Sequence, residues 1–261
     1  MQRTLANAVA AAAIACVLGA GVPGQTLHAS VAPGQAEAQK QEGAKAYFDR
    51  ARKLGFPSSG QTQPYILRAE FTARANSGAV DTGIYTDTWL SDSKWRREAT
   101  LGKSIFVRSR SGKKRYRLAD GPDAPLLQFV LTAMEPIPES SSVDESEWRI
   151  KHQVVDGVST TCVSKGNESA DGTPDGSDFE AYWFDQSGEL VKSSLNGLET
   201  RRSDFSNFNG VQVARKVEVV LKGKVGMQVE VNALGPAGKV DSHIFTIQRH
   251  EWTPEALPEA R

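Results

Sequence analysis

Between residues 65 and 75 the sequence YILRAEFTARA alternates without a break. Tyr65, Leu67, Ala69, Phe71, Ala73 and Ala75 alternate with Ile66, Arg68, Glu70, Thr72 and Arg74. Period two over this length belongs to a strand with one dry and one wet face. Strand candidates follow at 83–90, 94–100, 104–110 and 113–118, parted by SDS, LGK and SG, with NSG closing the first. Turns this short join antiparallel neighbours, because a parallel pair needs a crossover of a dozen residues or more. The dry face of such a sheet requires a cover.

Two segments supply one. In EGAKAYFDRARKLGF, Ala44, Phe48, Ala51 and Leu54 recur at helical spacing, and Gly55 with Pro57 ends the pattern. In DAPLLQFVLTAMEPIP, Leu127, Val130, Leu131 and Met134 do the same until Pro136 and Pro138. Strands resume with EWRIKHQVV, a turn at Asp156 and Gly157, and VSTTCVSK. GNESADGTPDGSD reads as a polar loop, and the remainder again gives strands broken by Ser-Gly, Asn-Gly and Gly-Lys. No βαβ rhythm is present. A sheet of roughly ten antiparallel strands must curl or close. The expected fold is therefore mainly β with helices (α+β): an antiparallel open half-barrel sheet covered by an N-terminal helix and a mid-chain helix. It forms one domain over 44–252, after a linker at 30–43 and before a tail at 253–261.

Ten Lys and Arg side chains fall between Lys94 and Arg117, with Glu98 the only acid among them. In KWRREAT, Trp95, Arg97 and Ala99 face one way and Lys94, Arg96 and Glu98 the other, so most of these charges are expected on the solvated side. The formal net charge of the chain is +0, which argues against a nucleic-acid partner. Trp89, Trp95, Phe106 and Tyr116 are accordingly read as core or cavity packing, not as a base-stacking platform. Arg96, Arg97 and Lys103 are candidates for a face that meets an envelope protein.

The first residues, MQRTLANAVAAAAIACVLGAGVPGQTLHAS, carry an early Arg3 and an apolar run of small residues from Leu5 to Val22. This is the pattern of a signal peptide, 1–29, cleaved before Ser30 after LHA, and it implies a periplasmic location. Cleavage before Cys16, giving a lipoprotein of the outer or inner membrane, is the alternative. Ordinary cleavage leaves Cys162 as the single cysteine, expected as a buried thiol. No Gly-x-Ser-x-Gly elbow and no nucleotide loop occurs. His243 and His250, with six residues between them, match no common metal spacing, His152 reads as a surface strand residue, and Asp178 with Glu180 form no distinctive pair. The expectation is no enzyme, no catalytic residue, no metal and no cofactor.

Taken together, the leading helix, RAEFTA, GIYTDTWLSDSKWRRE, SIFVRS, the Ser-Gly turn and KKRYRL resemble the first half of periplasmic lipoprotein carriers of the LolA type. YWFDQSGELVKSSL and NGVQVARKVEV resemble the second half. The resemblance spans roughly residues 44–252. It implies a half-barrel whose concave face holds acyl chains of a lipid or lipoprotein beneath a helical lid, with peripheral or transient membrane contact. On that basis Leu67, Phe71, Trp89, Trp95, Phe106, Leu127, Val130 and Leu131 become the candidates for the ligand cavity. Carriers of this type have Arg-Pro in the turn before the third strand, the Arg tied to the lid. Ser91 and Asp92 stand there in this chain, so that latch is missing. The alternative is an envelope interaction module whose helices and sheet pack dry, without a ligand.

Overall fold

The computed structural model describes residues 42–59, 63–74, 78–155, 157–168, 174–195, 197–221 and 224–247. The segment expected to be a signal peptide, which holds Cys16, most of the expected linker and the expected tail lie outside the described residues. The described chain falls in one compact unit that begins at Glu42.

Helix α1 (Ala44–Gly55) leads into β1 (Tyr65–Arg74), β2 (Val80–Ser91), β3 (Lys94–Leu101), β4 (Ser104–Ser111) and β5 (Lys114–Asp120). Helix α2 (Ala124–Met134) follows, then β6 (Arg149–Val155), β7 (Val158–Glu168), β8 (Pro174–Phe184), β9 (Leu190–Leu195), β10 (Leu198–Phe208), β11 (Val211–Leu221) and β12 (Lys224–Pro236). All are antiparallel neighbours in one twelve-stranded sheet of order β5-β4-β3-β2-β1-β12-β11-β10-β9-β8-β7-β6. The chain thus builds two meanders, and β1 pairs with β12 to join them. The sheet has two more strands than the sequence reading gave.

Its curl follows from what α2 touches. The helix packs on β3, β4 and β5 and also on β11, six strand positions from β5. On a flat sheet those strands would lie about 29 Å apart, at roughly 4.8 Å per strand. A helix is only about 10–12 Å across with its side chains. The sheet therefore wraps around α2, and its order still ends in two unjoined edges, β5 and β6. Both edges carry charge, with Lys114, Arg115 and Arg117 on one and Arg149 and Lys151 on the other. Charged side chains along an edge oppose pairing with another chain.

The main core lies between α2 and the curled strands: Tyr65, Leu67, Phe71, Tyr85, Phe106, Leu127, Val130 and Val229 all belong to it. A second cluster seats α1 on the other meander, where Phe48 meets Tyr182 edge to face at 5.0 Å. On the convex side a 3-10 turn, Ser242–Phe245, covers β3 and β4. Its Phe245 is buried, and Ser109 Oγ donates to the Phe245 carbonyl at 3.1 Å.

One glycine is required by close approach. Gly83 lies opposite Phe71 in the β1/β2 ladder, and a Cβ built there would sit 2.2 Å from Phe71 Cζ and 2.4 Å from the Thr100 carbonyl oxygen. The bare backbone is what lets the Phe71 ring lie across β2.

The polar segment after Lys165 corrects the sequence reading. Part of it extends the β7/β8 hairpin, with Asn167 opposite Asp175 and Glu168 opposite Pro174. Ladder hydrogen bonds come from the backbone, so a polar segment can continue a hairpin. Cys162 is buried on β7.

Candidate functional site

The site is the inner face of the sheet where β1–β5 pass beneath α2. Strand register places residues in rows across it. Tyr65, Trp89, Trp95, Arg110 and Arg115 form one row from β1 to β5. Leu67, Asp87, Arg97, Arg108 and Arg117 form the next, and Ala69, Tyr85, Ala99, Phe106 and Ala119 a third. Alternation puts all three rows on the same face.

The third row is the floor under α2. Leu127 and Val130 are fully enclosed and Leu131 nearly so, with Phe71 and Phe106 in the same cluster. Of the eight cavity candidates, seven are buried together, and Trp95 packs partly exposed against them. The structure brings all eight to one place, and α2 occupies the space above them. Leu67 borders a void of only about 30 Å³. Along the other flank of α2, Phe129, Thr132 and Ala133 face Leu195, Leu198 and Val219 across a groove of about 130 Å³. Phe129 is 45% exposed there.

The end of α2 is held by three arginines from three different elements. A helix leaves its last four carbonyls without intrahelical donors. Arg202 on β10 donates to the carbonyls of Ala133 and Met134, the latter at 3.4 Å. Arg52 on α1 donates to the carbonyls of Ile137 and Pro138, in the segment just after the helix, the latter at 2.9 Å. Arg97 on β3 forms an ion pair with Glu135, immediately after the helix, and lies 3.5 Å from Asp87. Tyr65 donates its hydroxyl to Asp87 at 2.8 Å. Ser91 and Asp92 supply none of these contacts; the residues that tie down the end of α2 are Arg97, Arg202 and Arg52.

Burial dominates the electrostatics. It raises the carboxyls of Asp87 and Glu135 above the ordinary range, while Arg97 opposes the rise. Burial lowers Arg202 to about 10, partly offset by Glu135 and Tyr85. Burial raises the hydroxyls of Tyr65 and Tyr85, and Asp87 pushes each in the same direction. Asp87 Oδ1, Arg97 Nε and Arg202 Nε are enclosed with no hydrogen-bond partner among the described residues.

Beyond the latch, toward β5, a cleft of about 440 Å³ opens between Trp89, Trp95, Arg108, Arg110 and Arg115. Five arginines border it in all, against the carboxylates Asp92, Glu135 and Glu139. This corrects the expectation that most of the basic run lies on the wet side. Arg97, Arg108, Arg110, Arg115 and Arg117 follow Trp95 and Phe106 to the inner face. Arg96 and Arg97, grouped in the sequence reading as one partner face with Lys103, do not share a face. Arg96 bonds outward to Glu98 and to the Ile244 carbonyl at 2.8 Å, and Lys103 is exposed in the β3/β4 turn.

No family model matches the sequence, and no curated protein matches it. Among solved structures the chain is similar to a LolA superfamily protein from Nitrosomonas europaea, at 10% identity and TM-score 0.48, over 79% of this chain and 98% of that one. It is similar to an outer membrane lipoprotein-sorting protein domain from Vibrio parahaemolyticus, at 8% identity and TM-score 0.49, over 78% and 95%. A DUF1329 family protein from Desulfovibrio piger gives 10% identity and TM-score 0.49, over 78% and 98%. These likenesses concern the fold.

Proposed function

We propose that this is a non-catalytic protein of the periplasm that binds the apolar chain of a lipid or of an acylated protein between the concave sheet and α2. The observation that carries the reading is the nature of the cover. An eleven-residue helix, whose buried side chains Ala124, Leu127, Val130, Leu131, Ala133 and Met134 are all apolar, lies on an apolar floor. Polar groups hold it chiefly at its C-terminal end. An acyl chain offers the floor the same chemistry as the helix does, so the two are interchangeable occupants once the polar ties let go. The groove beside Phe129 supplies a flank along which a chain would enter. Among the described residues no helix is long and apolar enough to cross a membrane. The reading assigns no catalysis: Asp87, Glu135 and Arg97, the charged groups nearest the floor, are engaged with one another and with α2.

The test is titration of delipidated protein with a fluorescent fatty acid below its micelle concentration, following energy transfer from Trp89 and Trp95. Saturable uptake that an unlabelled fatty acid displaces is the expected result. Absence of uptake would sink the reading. The second reading, an envelope interaction module with a dry interior, would take its place, favoured by the completeness with which Leu127 and Val130 fill the floor.

A further inference from the structure

Arg97, Arg108 and Arg117 lie directly opposite one another on β3, β4 and β5, and Arg110 lies opposite Arg115 in the adjoining row. Like charges facing across an antiparallel pair destabilise it, because their Cβ atoms are only about 4.5–5.5 Å apart. Two of the five are accounted for. Arg97 has Asp87 and Glu135, and Arg117 donates to Gln128 Oε1 on α2 at 2.9 Å. Among the described residues Arg108 makes no hydrogen bond or ion pair and lies over the face of Phe106, at 5.7 Å, a ring that Arg117 also approaches at 5.1 Å. Arg110 reaches the Gly112 carbonyl of its own turn at 3.1 Å. Among the described residues no carboxylate forms an ion pair with Arg108, Arg110 or Arg115, and all three border the 440 Å³ cleft.

Packing alone gives no reason for this arrangement, since the same strands would pair better with uncharged residues at two of the three positions. An anion seated in the cleft does give one. We propose that the cleft binds a phosphorylated ligand, whose phosphate is taken by the guanidinium groups of Arg108, Arg110 and Arg115 beside the indoles of Trp89 and Trp95. A phosphomonoester carries close to two negative charges and three acceptor oxygens, which suits three convergent forks better than the two oxygens of one carboxylate. The cleft volume is in the range of small-molecule sites. The lowered proton affinity of Arg108, caused first by burial and then by Arg117 and Arg97 and only partly opposed by Glu135, agrees with a surplus of positive charge there. The proposal goes beyond the apolar-chain reading and does not depend on it. A soluble phosphorylated compound and the headgroup of a phospholipid present the same phosphate.

The experiment is calorimetric titration of the full chain with inorganic pyrophosphate, alongside flotation with phosphatidylcholine vesicles with and without phosphatidic acid. The variants are Arg108→Gln/Arg110→Gln/Arg115→Gln, the same three positions changed to Lys, and Lys103→Gln/Lys113→Gln as a control for net charge. Expected is a loss of about tenfold or more in pyrophosphate affinity for the Gln triple variant. The Lys triple variant, which keeps charge without the fork, should lie between it and the wild type, and the control should bind like the wild type. Binding of pyrophosphate without vesicle recruitment assigns the site to a soluble phosphorylated compound. Recruitment to phosphatidic acid that pyrophosphate competes away assigns it to a headgroup. Equal binding by wild type and Gln triple variant, or no binding of either probe by the wild type, overturns the proposal. Should the triple variant fold poorly, Arg108→Gln alone decides. Its melting temperature should rise without anion and should lose most of the increase that pyrophosphate gives the wild type. A purely structural arginine would show a fall instead. Failure of fatty-acid uptake leaves these outcomes untouched, so the two readings fall separately.

Discussion

Arg202→Met should free α2 without unfolding the sheet. Arg202 is buried, stacks its guanidinium 5.7 Å over Phe56 and makes its hydrogen bonds to the last carbonyls of α2. A hydrogen bond to a charged donor contributes about 1.5–3 kcal/mol. Only the Ala133 bond is close, since the Met134 contact is 3.4 Å, so one such bond is at stake. Against that loss, Met keeps much of the packing on Phe56, and the desolvation cost of a buried guanidinium disappears. The difference comes to about 1–2 kcal/mol, a shift of roughly 5–30-fold in the population with α2 detached. Amide hydrogen exchange reads this directly. Amides of residues 127–134 should exchange roughly 5–30-fold faster, while those of β1 and β12 keep their rates, because the β1/β12 ladder does not involve α2. Fatty-acid uptake should become faster in the same variant. Uniform acceleration over the whole sheet, or no change in α2, would refute the reasoning. The first would mean that α2 is part of the global folding unit, the second that Arg202 holds nothing.

Three further outcomes follow from the same geometry. Leu127→Ala, at a fully buried position, should cost about 2–5 kcal/mol, seen as a lower urea midpoint at unchanged slope. A loss below 1 kcal/mol would mean that the floor under α2 is not packed. Gly83→Ala should lie near the upper end of overpacking costs, about 3 kcal/mol, because the Thr100 carbonyl cannot move aside within the β2/β3 ladder. Its check is thermal unfolding, and a melting temperature equal to wild type would show that β2 is free to shift. The pH dependence concerns Asp87, whose carboxyl is raised by burial. A carboxyl raised on folding contributes stability fully below its unfolded value, near pH 4, and loses it as pH climbs through the raised folded value. Asp87→Asn removes that dependence, so the variant should gain on the wild type over the pH range above about 4, where the raised carboxyl ionises. A constant gap in melting temperature across that range would show that Arg97 cancels the burial effect.

The fold was legible where side-chain chemistry repeats with the backbone period. Tyr65, Leu67, Ala69, Phe71 and Ala73 point inward as their alternation required, and the short turns made every neighbour antiparallel. The spacing of Leu127, Val130, Leu131 and Met134 marked the face of α2 that is buried. What escaped was the second function of the same period. Trp95, Arg97 and Ala99 were read as one face, yet a run of arginines suggests water, because an unpaired buried charge is expensive. The groups that make burial tolerable for Arg97 come from elsewhere in the chain: Asp87 across a hairpin, Glu135 at the end of α2. Arg202 is 69 positions from the Ala133 carbonyl it holds, and a carbonyl carries no sequence signal at all. For the same reason the reading at Ser91 and Asp92 found no latch. The contacts at the end of α2 come instead from β3, β10 and α1, which no local motif marks.

The inward arginines thus fall into two sets that differ in a measurable way. Arg97 and Arg202 sit among acceptors that the fold supplies, so removing either side leaves a buried group without its partner and should destabilise. Arg108, Arg110 and Arg115 have cross-strand neighbours of their own sign or an aromatic ring in place of carboxylates, so neutralising one of them should stabilise the empty protein. Groups that cost stability when a site is empty are the mark of a site kept for a ligand. The sign of the change in melting temperature on arginine-to-glutamine substitution, measured residue by residue along the two rows, therefore separates the latch of α2 from the anion cleft. It does so without any knowledge of what either one binds.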